Sequence, residues 1–227
     1  MSFGIRLAVI SLNKSQETFV MPLNVSGKKM VYVALVVVLV AFVGVGWKLT
    51  ARSSYESANY SIVESDSPFE IRDYPDLMLV TTAMKSQGGD GSFGRLFRYI
   101  SGENEDEIKV AMTTPVFMEP EGKNTNGQMG FVVPKMVSLD RIPNPTGEGV
   151  QIQKRGSGRF AVIRFSGQMD EDSMAENEEK LRNWIVTKGL SGSEDFESAG
   201  YDPPWTPNPF RRNEILIRLK QEAADPD

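Results

Sequence analysis

The sequence predicts an internally duplicated α+β domain, its antiparallel sheet curled into a barrel-like body carrying two helices, preceded by one transmembrane helix. Three observations point there. Residues 30–47, MVYVALVVVLVAFVGVGW, hold eighteen residues without a charge. From Tyr60 onward, short alternating segments are punctuated by Pro, Gly and Asn-Gly, which reads as strands and turns. The order strand, strand, helix, strand, strand then occurs twice, as expected of a duplicated unit.

At 1.5 Å per residue the uncharged run reaches ~27 Å as a helix, close to the ~30 Å hydrocarbon core of a bilayer. A strand of that length is excluded, because strands end after about ten residues and this run contains no turn. Lys28 and Lys29, with Arg6 and Lys14 behind them, face only Lys48 and Arg52 on the other flank. The positive-inside rule therefore puts the tail 1–29 in the cytoplasm and the large C-terminal domain on the non-cytoplasmic side. Small residues are poorly placed for signal cleavage, so 30–47 is expected to stay as a signal-anchor. Residues 48–59 form a polar juxtamembrane linker, 60–220 the folded domain and 221–227 an acidic tail.

Within the domain, SIVESD, FEIRDY and LMLVTTAM are expected strands separated by Ser-Pro and Pro-Asp. GSFGRLFRYISG follows as a short amphipathic helix. Its Phe93, Leu96, Phe97 and Ile100 fall at i, i+3, i+4, i+7, with Ser92 as cap and Gly102 as stop. IKVAMTTPVFME and QMGFVVP are the next two strands, with Asn126-Gly127 as hairpin signal. In the second half VQIQKRG and RFAVIRFSG form a hairpin. A long helix spans 171–188 with Met174, Leu181, Trp184 and Ile185 on one face, an Asp170 to Asp172 acidic start and a Glu178–Arg182 pair. DFESAGYD, the loop PPWTPNPFRR and the strand NEILIRL complete the domain.

Composition narrows the chemistry. From Ser53 onward the chain has 19 basic and 29 acidic residues, a formal charge of −10, so it is not expected to bind nucleic acid through a general field. It has no histidine and no cysteine. That removes Ser-His-Asp and Cys-His nucleophiles, structural zinc, disulfides and haem ligation by imidazole or thiolate. What remains is carboxylate, Lys, Tyr or Met chemistry, or a bound cofactor.

FEIRDYPDLMLVTT, GSFGRLFRYISGEN, IKVAMTTPVFM and GYDPPWTPNPFRRNEILIRL, in that order from Tyr60 to Leu219, together resemble the SOUL haem-binding protein family. The resemblance implies a duplicated βαββ-type distorted barrel with a tetrapyrrole site in an apolar groove beside the first helix. Where some members carry a haem-ligating histidine, this sequence has Asp73, and a carboxylate is a poorer axial ligand than imidazole. The basic residue toward the end of the first helix is kept as Arg98, with Arg95 one turn earlier. The lysine that some members carry in the C-terminal Pro-rich loop corresponds to about Thr206.

Each of these residues has a structural reading beside the functional one. Phe93, Leu96 and Phe97 form either a core face or part of a ligand groove, and Arg95 and Arg98 are either solvated charges or a fork for propionates. Met84, Met112, Met129 and Met136 are core filler or thioether ligands, with Met112 the foremost candidate. The expectation is a membrane-anchored, non-catalytic domain that binds haem or another porphyrin without a histidine ligand, as carrier, buffer or sensor. Its partners are then the tetrapyrrole and the bilayer. The alternatives are a ligand-free protein-interaction module and a hydrolase using a buried glutamate, Glu70, Glu119 or Glu214.

Overall fold

A computed structural model describes residues 30–40, 55–85, 89–122, 126–137 and 141–220. Helix α1 covers residues 30–40, all exposed, and belongs to one unit of the chain, while everything from β1 onward belongs to another. Among the described residues no helix is long and apolar enough to cross a membrane. The predicted span continues through residues 41–47, which lie outside the described residues, as do the N-terminal tail, most of the linker and the acidic tail.

The second unit runs β1 (Glu56–Ser57), β2 (Ser61–Asp66), β3 (Phe69–Tyr74), β4 (Leu77–Ala83), α2 (Ser92–Ile100), β5 (Thr113–Thr114), β6 (Val116–Glu121) and β7 (Asn126–Val132). It continues with β8 (Val150–Arg155), β9 (Gly158–Phe165), α3 (Glu171–Thr187), β10 (Glu197–Gly200) and β11 (Asn213–Arg218). Nine strands make one sheet in the order β2-β3-β9-β11-β10-β6-β7-β4-β8, with every pairing antiparallel.

The duplication is visible in that order. About the central β10–β6 pair, where Ala199 lies opposite Phe117, the sheet reads outward as β11, β9, β3 on one side and β7, β4, β8 on the other. Each half is thus a strand, strand, helix, strand, strand unit whose leading strand is exchanged: β3 pairs with β9 of the second half, and β8 with β4 of the first. Only Pro75 and Asp76 connect β3 to β4, although the two strands are six places apart in the sheet, so the sheet must curl enough to bring the end of β3 next to the start of β4. Among the described residues β2 and β8 remain unpaired on their outer sides, so the barrel is open rather than closed.

Strand alternation divides the apolar residues between the two faces of the sheet. The inner face gathers Tyr74, Leu79, Phe117, Phe160, Val162 and Leu216. On the outer face, α3 covers Ile71, Ala161, Ile163, Ile215 and Ile217 with Met174, Leu181, Trp184 and Ile185. Helix α2 covers Val80, Met129 and Phe131 with Leu96, Tyr99 and Ile100. The helices therefore lie on the same side of the sheet, over opposite halves.

Local chemistry explains the boundaries. Asp170 caps α3 by accepting from Ser173 N at 2.9 Å, and Glu178 accepts from Arg182 Nε at 2.7 Å. Ser92 is not the cap of α2 but its buried first residue; Gly91, in the left-handed region at φ 84°, takes that place, and Asp90 accepts from Ser92 N at 3.0 Å. The expected strand over residues 108–119 is broken into β5 and β6 at Pro115, which has no amide proton to give a ladder. Gly127 lies inside β7 rather than at a turn apex. Its φ is 66°, and a Cβ there would sit 2.3 Å from the Met84 carbonyl oxygen.

Candidate functional site: the groove between the helices

Because α2 and α3 cover opposite halves, the outer face of the central β6–β10 pair is left uncovered. A groove of about 330 Å³ lies there, floored by Met118, Ser198 and Gly200 and walled by Phe93 of α2 and Met174 of α3. The β10–β11 loop closes one end with Asp202, Pro204 and Arg211. A second hollow of about 300 Å³ continues from it, sharing Met84, Pro120 and Met174, and ends among Glu121, Glu171 and Glu178.

The lining is mostly thioether and ring. Met84, Met118, Met129, Met169 and Met174 all contribute, which is five of the eleven methionines in the sequence and far beyond a chance share of one groove. Met84, Met129 and Met174 are buried in the packing beneath, whereas Met118 and Met169 are only half-buried and open to the groove. Phe93 stacks on Phe97 at 6.0 Å between centroids and meets Phe131 edge-on at 5.3 Å, so an aromatic ledge continues from the groove wall to the surface. Gly200 leaves a cradle in the floor. A Cβ built there would meet Met169 Cε at 3.8 Å and Met118 Cε at 3.9 Å, ordinary contacts that would fill it without strain.

Of the residues singled out from the sequence, Phe93 lines this groove. Leu96 is fully buried beneath α2, Phe97 is half exposed beside Phe93, and Met112 packs at the edge of the α2 core. Arg95 is tied down: its Nε donates to Thr82 Oγ1 at 3.0 Å, Nη1 to the Asp90 carbonyl at 3.2 Å and Nη2 to the Ala83 carbonyl at 2.6 Å. Arg98 is exposed and donates to Glu103 at 3.0 Å. Asp73, on β3, accepts both arms of Arg159 at 2.7 and 2.8 Å, and these bonds hold its carboxyl below the usual range. Thr206 is buried in the Pro-rich loop, its Oγ1 without a hydrogen-bond partner among the described residues, while its carbonyl accepts from Arg211 Nε at 2.8 Å.

The basic residue that does line the groove is Arg211, with Nη2 on the Pro204 carbonyl at 2.5 Å. Its bonds to the Thr206 and Pro204 carbonyls brace the Pro-rich loop. Its position at the groove end was not readable from spacing, because it depends on how the loop folds back over β10.

The three glutamates differ sharply. Glu214 is fully buried and accepts from Arg72 Nη1 at 2.8 Å and Nη2 at 3.0 Å, from Tyr201 at 2.9 Å and from Arg212. Burial alone would raise its pKa, but the bonds and field of the two guanidiniums reverse this and hold it below the ordinary value. Glu70 accepts from Arg72 Nε at 2.7 Å. Glu119 faces a different hollow, of about 360 Å³, with Thr81, Gln128 and Gln151. Burial pushes its pKa up, against a 2.7 Å hydrogen bond from Gln128.

This architecture defines a class of internally duplicated α+β half-barrels, and the sequence comparisons name the family. The model of the SOUL heme-binding protein family matches residues 55–218, and the chain belongs to that family. Heme-binding protein 1 of Xenopus tropicalis is 28% identical over 156 residues, covering 65% of this chain and 81% of that protein. Heme-binding protein 2 of Homo sapiens is 27% identical over 188 residues, covering 77% and 91%. Among solved structures, a hydrolase from Listeria innocua superposes with TM-score 0.51 at 8% identity, covering 70% of this chain and 94% of that one, a likeness of fold alone. Tetrapyrrole binding is thus the property shared at the level of the family.

Proposed function

We propose that this chain binds haem or a related tetrapyrrole, reversibly and non-covalently, in the groove between α2 and α3, acting as carrier, buffer or sensor and not as an enzyme. The observation that carries the reading is the thioether- and ring-lined groove with its unfilled floor at Gly200, in a chain of this family. A planar apolar macrocycle is matched by polarizable Met and Phe surfaces. With no cysteine in the sequence, no thioether link to the vinyl groups can form.

Charge orients the ligand. Arg211 stands with Asp202 at one end of the groove, and Glu121, Glu171 and Glu178 outnumber Lys85 at the other, so propionates favour the Arg211 end. The same reading places the protein at a membrane through Met30 to Trp47, with the binding domain on the non-cytoplasmic side, and gives the acidic domain no nucleic-acid partner.

The test is a haemin titration of the full-length chain followed at the Soret band, beside Gly200→Ala and Gly200→Leu with melting curves as the folding control. Saturable one-to-one binding that weakens stepwise as the floor is filled is the expected result. Binding that does not saturate, or that is indifferent to residue 200 in folded variants, would remove the groove as the site.

One observation favours a second reading. Burial raises the pKa of Glu119, which lines a hollow of its own, and a carboxyl in such a setting is the kind a general acid or base requires. Turnover of an activated ester that disappears in Glu119→Gln would support it, while haem binding would be unaffected.

A further inference from the structure

We infer that Met118 and Met169 form a thioether pair that ligates the iron of a haem bound in the groove, in place of the histidine the sequence lacks. The inference rests on the tetrapyrrole reading above and adds to it the chemical class of ligand atom. Three observations converge.

First, the sequence has no imidazole or thiolate, which leaves thioether sulfur as the ordinary soft donor for haem iron. Second, exposure separates the five lining methionines. Met84, Met129 and Met174 are 3 to 5% exposed and serve as packing, whereas Met118 and Met169 are half-buried with faces open to the groove. Third, these two come from different elements, β6 and the segment leading into α3, yet the methyl carbons of Met169 and Met118 lie 3.8 and 3.9 Å from where a Cβ on Gly200 would stand. A side chain at residue 200 would occupy the space between them; glycine leaves it to a ligand. The alternatives are placed elsewhere: Met112 packs at the edge of the α2 core, Met136 is 95% exposed, and Asp73 is committed to Arg159.

The interaction is a dative bond from a sulfur lone pair to iron, with no net change in electrons or protons. A thioether favours ferrous over ferric iron, so ligation raises the reduction potential of the bound haem. A pair that merely filled space would affect haem and metal-free porphyrin alike.

The experiment uses the full-length chain, haemin, dithionite-reduced haem and metal-free protoporphyrin, with Met118→Leu/Met169→Leu as the test variant and Met112→Leu as the control. The expected result has three parts: haem binds at least about tenfold more tightly than metal-free protoporphyrin; the ferric complex shows a sulfur-to-iron charge-transfer band; and the double variant loses both the preference for haem and the band. The bound haem is also expected to have a higher reduction potential in wild type than in the double variant. Equal binding of haem and metal-free protoporphyrin with no such band would overturn the ligation while leaving the groove as the tetrapyrrole site. Loss of the band in Met112→Leu instead would also overturn it. If neither ligand binds, the ligation and the function fall together.

Discussion

The buried charges of this domain act in opposite directions on its stability. Glu214 has a folded-state pKa below its ordinary value of 4.5, so the stability it contributes is fully present above that value and is lost as pH falls through the folded pKa. Glu119 is raised, so its contribution is present below 4.5 and is lost as pH rises through its folded pKa. Glu214→Gln is therefore expected to destabilise by about 3–5 kcal/mol at neutral pH, because it strips Arg72 and Arg212 of their buried counter-charge. The deficit should shrink in acid. Glu119→Gln is expected to stabilise at neutral pH, with the gain vanishing in acid; urea melts at pH 7 and pH 4 check both signs. The two helix arginines part similarly. Arg95→Ala removes two hydrogen bonds that fasten α2 to the end of β4 and a third to the turn before α2, and is expected to cost about 1–3 kcal/mol, whereas Arg98→Ala, losing one exposed pair, should change stability by under about 1 kcal/mol.

At the scale of elements, the periodic segments were the most legible. SIVESD and FEIRDY are strands in full, NEILIRL is a strand up to Arg218, and α3 starts at the expected residue with the expected cap, because alternation and capping are local properties. What spacing could not supply was nonlocal. The Asn-Gly signal at 126–127 marked a glycine that the structure needs for a different reason: close passage of the Met84 carbonyl at a positive φ. Gly127→Ala is accordingly expected to cost about 1–3 kcal/mol by thermal or urea melting, although the added methyl is tiny. The same distinction applies to the site. Phe93 was identifiable from helical period and family resemblance, but Met118, Met169, Gly200 and Arg211 meet only after β6, β10, the approach to α3 and the Pro-rich loop are brought together.

For the molecule as a whole, the exchange of leading strands between halves ties the duplicated units into one sheet, and placing both helices on one face leaves the central strands open between them. The groove is thus a consequence of the duplication: it lies over the central β6–β10 pair, one strand from each half, where neither half alone would form it. The central claim is that a tetrapyrrole occupies that groove, and methyl-labelled methionine NMR of the full-length chain with metal-free protoporphyrin tests it most directly. The macrocycle's ring current is expected to displace the methyl signals of Met118 and Met169 strongly, while those of Met112 and Met136 stay in place. Saturable binding that shifts Met112 or leaves Met118 and Met169 unmoved would contradict the account.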